Sequence, residues 1–82
     1  SYNNDLAGLQ VSLDFLNNQY QKSKKTLILS DILQAGVDAQ HWTKAVHDLI
    51  KQNKIDRFIG IGINLSAHQH LFTIPATFYE ST

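Results

Sequence analysis

Two short apolar runs, separated by a segment long enough to hold a helix, constrain the fold of this chain more than any other feature. The runs are TLILS at residues 26–30 and RFIGIG at residues 57–62. Each is too short for a helix and rich enough in Leu and Ile for a strand that is buried on both faces. Twenty-six residues lie between them, which is ample for the right-handed crossover of two parallel strands. We therefore expect a parallel β-α-β unit.

The crossover segment carries the clearest helical pattern of the chain. Apolar side chains recur there at i, i+3, i+4, i+7 and i+8, which is one continuous face of a helix that packs on a core. They are Trp42, Ala45, Val46, Leu49 and Ile50. Asp38 precedes this pattern and can cap the first turn, while Lys51 and Lys54 follow it, where cations suit the helix dipole.

Another amphipathic helix is predicted from about Leu6 to Tyr20, directly after the polar stretch SYNND. Asp5 is placed to be its N-cap. The apolar stripe consists of Leu9, Leu13, Leu16 and Tyr20, with Phe15 widening it. The polar run QKSKK then ends the helical pattern before the first strand.

The remainder of the chain adds a short helical turn through SAHQHLF, the single Pro75 and a third strand around ATFYE. The glycines at 60 and 62 permit close approach of another backbone or of a ligand to the second strand. Together these elements predict an α/β fold: a Rossmann-like open sheet, mainly parallel, of three strands with flanking helices, in a single domain over residues 1–82. Residues 80–82 resemble the approach to another helix, so we expect a truncated domain.

Composition excludes several classes of function. Lys+Arg and Asp+Glu each number 7, and no run of like charges predicts a basic patch, so nucleic acid and anionic membranes are poor candidate partners. No apolar run approaches the roughly 20 residues that cross a bilayer. With no cysteine there is no disulfide framework and no thiolate chemistry, which fits a cytoplasmic protein.

Ligands of parallel sheets gather beyond the carboxyl ends of the strands, which directs attention to the loops SDILQAG and GINLSAH. Asp31 follows the first strand and either holds a ligand or caps its own turn. Asn64 and Ser66 follow the second strand. Capping of the short helix is favoured for these two over contact with a ligand.

No catalytic or metal-binding constellation is present in the sequence. The histidine pairs, six apart at 41 and 47 and two apart at 68 and 70, fall on different faces and lack the spacing of metal ligands. The serines occur in no GxSxG motif, and GIGIN is neither GxGxxG nor a Walker motif. Trp42 and the four phenylalanines, at 15, 58, 72 and 78, fall at the spacing of core residues rather than of a cofactor site.

The opening stretch SYNNDLAGLQVSLDFL resembles the start of the C-terminal domain of the Mur ligases, in the type that joins D-alanyl-D-alanine to the UDP-N-acetylmuramoyl tripeptide. In that family a D-x-Y-N-A-N-P loop precedes an amphipathic helix, and Tyr2 and Asn3 fall on its Tyr and first Asn. Asn4, Asp5 and Leu6 stand where the family has Ala, Asn and Pro.

Two further stretches extend this resemblance along the chain. LILSDILQAG is similar to the family's LGDMLELG, with Asp31 and Gly36 on its Asp and final Gly. IDRFIGIGINLSAHQHLF, followed by FYEST, resembles the Bacteroidetes-type form in which the ligase is fused to an alanine racemase.

The resemblance implies a cytoplasmic, ATP-dependent peptide ligase of cell-wall synthesis, in which this chain is the lid that closes over a preceding central domain. It implies that Tyr2 and Asn3 face the nucleotide, and that Asp31, Asn64 and Ser66 line the cleft for D-alanyl-D-alanine. ATP and magnesium would act on the central domain with the UDP-muramoyl peptide, and pyridoxal phosphate only in a fused racemase outside this chain. The resemblance assigns no catalytic residue here.

Two other classes of protein remain open from the residues themselves. One is a free-standing α/β interaction module, which would need a cluster of acids at the strand ends where the sequence has Asp31. The other is an isolated small-molecule-binding domain without catalysis.

Overall fold

The computed structural model describes residues 6–31 and 38–80 of the chain. Helices and strands alternate along it. They are α1 (Leu6–Gln19), β1 (Thr26–Ser30), α2 (Ala39–Gln52), β2 (Arg57–Ile61), α3 (Ile63–Ala67), a 3₁₀ helix (Gln69–Leu71) and β3 (Ala76–Tyr79).

The three strands form one open sheet in the order β1-β2-β3, and both pairings are parallel. Leu27 lies opposite Phe58, and Phe58 lies opposite Ala76. The sheet with its flanking helices is an α/β fold of the Rossmann-like kind, which confirms the predicted fold class. Where the sequence predicted a mainly parallel sheet, the sheet of the described residues is entirely parallel.

Helix α2 forms as its apolar spacing predicts. Asp38 is its N-cap, and the carboxylate oxygen Oδ1 accepts a 3.2 Å hydrogen bond from the backbone amide of His41. Trp42, Val46 and Ile50 are buried in the core. The predicted cap and the predicted core face are therefore both confirmed.

Helix α1 also occupies the predicted range, but its apolar stripe is narrower than expected. Leu13 is buried, whereas Phe15 is 61% exposed. Leu16 and Tyr20, which were also predicted for the stripe, are exposed as well, so the prediction is wrong for them too. Two residues along a helix rotate the side chain by about 200°, so Phe15 lies on the side opposite Leu13, and the prediction that it widens the core stripe is wrong. Asp5, the predicted cap, lies outside the described residues.

The core lies on one face of the sheet. Buried side chains of the helices pack there against alternate residues of the strands, among them Leu27, Leu29, Phe58 and Phe78. Residues of the other parity face away from this core, and Ile28 is 61% exposed. The prediction that the strands are buried on both faces is therefore wrong for β1 within the described residues, because the helices cover a single face.

Gly60 lies within this core beside aromatic rings. A Cβ atom at that position would come within 2.9 Å of the rings of Phe58 and Phe78. The rings of Phe58 and Phe72 stack with their centroids 4.7 Å apart. The sequence predicted close approach of another backbone or of a ligand at this glycine, whereas the groups found nearest to it are the rings of Phe58 and Phe78.

Candidate ligand cleft at the carboxyl edge of the sheet

Asp31 lies at the carboxyl end of β1 and connects this strand to the helix after β2. Its backbone amide donates a 3.0 Å hydrogen bond to the carbonyl of Ile61, which extends the β1–β2 ladder by one residue. Its carboxylate oxygen Oδ2 accepts a 2.6 Å hydrogen bond from the backbone amide of Leu65. Asp31 is only 9% exposed, so this bond is shielded from water.

Gly62 makes this arrangement possible. It has φ of +131°, a backbone conformation that residues with a Cβ rarely adopt. A Cβ atom at this position would collide with the carboxylate of Asp31. The amide of Gly62 donates a 2.7 Å hydrogen bond to the carbonyl of Tyr79 on the neighbouring strand. The glycine therefore lets β2 turn into α3 while the aspartate lies against the turn.

Asp31 performs the role of an N-cap for a helix that lacks one of its own. Gly62 is the N-cap residue of α3 and has no side chain to offer, and Leu65 is the third residue of the helix. A capping side chain normally accepts a hydrogen bond from the amide at this third position. Asp31 supplies that acceptor from a distant part of the sequence. Asp31 therefore caps α3, whereas its predicted roles in its own turn and in holding a ligand stay predictions.

Asn64 and Ser66 lie inside α3 and do not cap it. The helix begins at Ile63, three residues before the predicted start, so the prediction that these two side chains begin the helix is wrong. The cap comes from Asp31, which a local pattern cannot reveal. Within the described part of the chain, the hydrogen bonds of Asn64 and Ser66 use their backbone groups.

The two side chains leave α3 on opposite sides. They are separated by about 200° of helical rotation, and Leu65 between them is fully buried. Both are partly exposed. The structure therefore brings Asp31 together with α3, and the predicted roles of Asn64 and Ser66 in a ligand cleft stay predictions.

Tyr2 and Asn3, the predicted nucleotide-facing residues, lie outside the described residues. So does most of the loop after Asp31. Their predicted roles stay predictions.

The histidines differ in one respect from the sequence prediction. The rings of His68 and His70 were expected on different faces, but the turn between α3 and the 3₁₀ helix brings their centroids to 6.2 Å. The Nδ1 atom of His68 lies 2.8 Å from the carbonyl oxygen of Asn64. Among residues 6–31 and 38–80, no group of three or more His, Cys, Asp or Glu side chains is arranged to hold a metal ion.

Comparison of the chain with protein-family models, with curated proteins and with solved structures found no match in any of the three. Within the described residues, no helix has both the length and the apolar character required to span a membrane.

Proposed function

We propose that this chain is the lid domain of a cytoplasmic, ATP-dependent ligase of the Mur type, which adds D-alanyl-D-alanine to the UDP-N-acetylmuramoyl tripeptide. The resemblance of SYNNDLAGLQVSLDFL and LILSDILQAG to that family supports the assignment. The structural observation that carries it is the hydrogen bond from Leu65 to Asp31. That bond joins the end of β1 to the helix after β2, at the edge of the sheet where parallel folds bind ligands.

A rigid edge is what a lid requires. In the proposed reaction a carboxylate is phosphorylated by ATP, and the acyl phosphate is then attacked by the amine of the dipeptide. Water would hydrolyse this intermediate, so a domain that closes over it must exclude solvent and position the amine. A flexible edge would achieve neither.

Each predicted site residue then has a distinct role in the proposal. Tyr2 and Asn3 contact the nucleotide at the hinge. Asp31 is a positioning residue, since its carboxylate already holds α3. Asn64 contacts the dipeptide, because its carboxamide offers a donor and an acceptor for a peptide group. Ser66, on the opposite side of α3, is the second candidate for this contact.

The groups that handle ATP and magnesium belong to the central domain in this proposal. The described residues contain no group of three metal ligands, so no step of the reaction is assigned to a metal held by them. A fused alanine racemase, if the parent enzyme has one, would carry its pyridoxal phosphate elsewhere.

The test uses the polypeptide that contains this chain together with its central domain. Phosphate release is measured with ATP, magnesium, the UDP-linked tripeptide and D-alanyl-D-alanine. We expect Tyr2→Ala and Asn3→Ala to raise the KM for ATP, and Asn64→Ala to raise the KM for the dipeptide. Tyr20→Ala is the matched control, because this tyrosine is exposed at the end of α1.

Two results would contradict these assignments. If Tyr2→Ala and Asn3→Ala alter only thermal stability, the opening stretch is a linker and not a nucleotide contact. If Ser66→Ala raises the KM for the dipeptide and Asn64→Ala does not, the cleft lies on the other side of α3.

The isolated chain is expected to hydrolyse no ATP, since its sequence has no phosphate-binding loop. A free-standing binding module predicts that the chain alone binds its ligand and that ATP has no effect.

A further inference from the structure

A polar cleft lies between the ends of α1 and α2, at the edge of the sheet where the strands begin. Its volume is about 360 Å³, and its lining consists of Asn17, Asn18, Gln21, Lys22 and Lys54. A second cleft of about 250 Å³ adjoins it and adds Lys24, Lys25 and Asp56 to the lining. This region, here called the lysine cleft, lies at the edge opposite Asp31, so binding there is independent of the proposed ligase function.

Positive charge is concentrated in the lysine cleft although the chain as a whole is neutral. Four of its seven Lys and Arg residues line the cleft, and Asp56 is the carboxylate beside them among residues 6–31 and 38–80. That carboxylate accepts a 2.8 Å hydrogen bond from the backbone amide of Lys25. The cluster combines residues 22–25 with residue 54, which are far apart in sequence, so no long run of like charges marks it.

Lysines near the carboxyl end of a helix also stabilise the helix dipole. The negative charge of the two dipoles can therefore be compared with the positive charge of the four lysines. The carboxyl ends of α1 and α2 each contribute roughly half a negative charge. After these two helix ends and Asp56 are balanced, a surplus of about two positive charges remains in the cleft. The helix dipoles alone therefore do not account for four lysines.

Lys54 has a backbone conformation that glycine adopts more readily than lysine does. It has φ of +57°, in the left-handed region. Its amide donates to the carbonyl of Lys51 at 3.2 Å, and the amide of Ile55 donates to the carbonyl of Ile50 at 3.1 Å. This is the Schellman pattern that ends a helix, and Lys54 occupies the position where glycine is preferred.

A side chain at this position strains the backbone, and glycine would relieve the strain. Lys54 lines both parts of the lysine cleft. An unfavourable backbone conformation at a residue that lines a cleft is the kind of outlier that accompanies a binding function.

We infer that the lysine cleft binds a small molecule bearing a phosphate group. The ammonium groups of Lys22 and Lys54 match the two charges of a phosphate monoester, and the three carboxamides supply further donors. Among the described residues, none that lines the first part of the cleft is a carboxylate. Its volume falls at the lower end of the range for small-ligand sites and suits a compact phosphorylated compound.

The test is a titration of the 82-residue chain with inorganic pyrophosphate, followed through backbone amide NMR shifts at about 0.15 M salt. We expect saturable shifts at Gln21, Lys22 and Lys54 with a Kd of about 1 mM or tighter. Lys54→Gly is expected to raise the Tm by roughly 3 to 6 °C and to weaken binding roughly tenfold. Lys22→Ala should also weaken binding.

Lys44→Ala is the matched control, because Lys44 is an exposed lysine of α2 that does not line the lysine cleft. Its affinity for pyrophosphate should stay within twofold of the wild-type value. The inference is overturned if Lys44→Ala weakens binding as much as Lys54→Gly does, or if Lys54→Gly binds unchanged. It is also overturned if an oligonucleotide or anionic phosphatidylserine vesicles shift these amides while pyrophosphate does not.

Discussion

The backbone amide of Leu65 donates a 2.6 Å hydrogen bond to the carboxylate of Asp31, which lies 34 positions earlier in the chain. Through this contact the residue that follows β1 caps the helix after β2. At the edge of the sheet proposed to face a ligand, the end of β1 and the start of α3 are therefore joined directly.

Replacement of Asp31 should destabilise the fold more than replacement of a surface carboxylate. Asp31→Ala leaves the buried amide of Leu65 without its acceptor, and we expect a loss of about 1–3 kcal/mol in the free energy of unfolding. Urea denaturation followed by circular dichroism measures this. The matched control is Asp14→Ala, on the exposed surface of α1, with an expected change of at most about 0.5 kcal/mol. Equal losses in the two variants would show that the capping bond contributes nothing.

Gly62→Ala should be strongly destabilising for two separate reasons. The added Cβ collides with Asp31, and φ of +131° is unfavourable for alanine. We expect a loss of about 2 kcal/mol or more. In a double-mutant cycle, Asp31→Ala should remove the collision but not the backbone strain, so the two losses should add to more than the loss in the double variant. Strict additivity would indicate that the aspartate does not lie against the glycine.

The single-faced core predicts different responses from two isoleucines. Ile50 is fully buried, and Ile50→Ala should cost about 2–5 kcal/mol. Ile28 is 61% exposed on the open face of β1, and Ile28→Ala should cost no more than about 1 kcal/mol in the isolated chain. Both values come from chemical denaturation of the same protein. A large loss for Ile28→Ala would mean that its face of the sheet is covered in solution.

Asp48 provides a test of pH dependence. Hydrogen bonds from Lys44, at 3.0 Å, and from His47, at 3.2 Å, hold the pKa of this exposed carboxyl below its ordinary value. A folded-state pKa below that of the unfolded chain contributes stability above the unfolded pKa, and that stability is lost as the pH falls through the folded pKa. Because the pair is exposed, the effect on stability should be small.

The pKa itself can be measured by carboxyl-carbon NMR titration. We expect Lys44→Gln to raise the pKa of Asp48 toward its ordinary value. Lys24→Gln, which removes an equal charge far along the sequence, should leave the titration midpoint of Asp48 in place. If both variants shift it equally, long-range charge and not the hydrogen bond lowers the pKa.

Local sequence patterns predicted most of the fold because most of its helices and strands are determined by the apolar spacing and capping residues of their own segments. The apolar run at residues 26–30 is β1, and Asp38 caps α2 as its position before an amphipathic segment requires. Phe15 was misplaced because its angle of about 200° from Leu13 around the helix takes it out of the apolar stripe. Ile28 was predicted to be buried because the Leu- and Ile-rich run at residues 26–30 is typical of a strand that is buried on both faces. Its actual burial depends on whether helices cover both faces of the sheet, and here they cover one.

The candidate site was less predictable, because its key contacts join distant residues. The positions of Asp31 and Gly62 at strand ends were recognised, but nothing local indicates that one caps the helix begun by the other. The lysine cleft has the same character, since residues 22–25 meet Lys54 only after α1 and α2 have packed. Lys54 itself gives a local signal that was missed: a non-glycine residue just past a helix end, in a position that favours glycine.

The most direct test of the proposed function is the dependence of phosphate release on the dipeptide. The polypeptide that contains this chain and its central domain is supplied with ATP, magnesium and the UDP-linked tripeptide, with and without D-alanyl-D-alanine. The account predicts that release requires the dipeptide and that one phosphate appears for each peptide bond formed. Release at the same rate without D-alanyl-D-alanine, or none in the presence of all four compounds, would contradict the assignment of this chain as the lid of a Mur-type ligase.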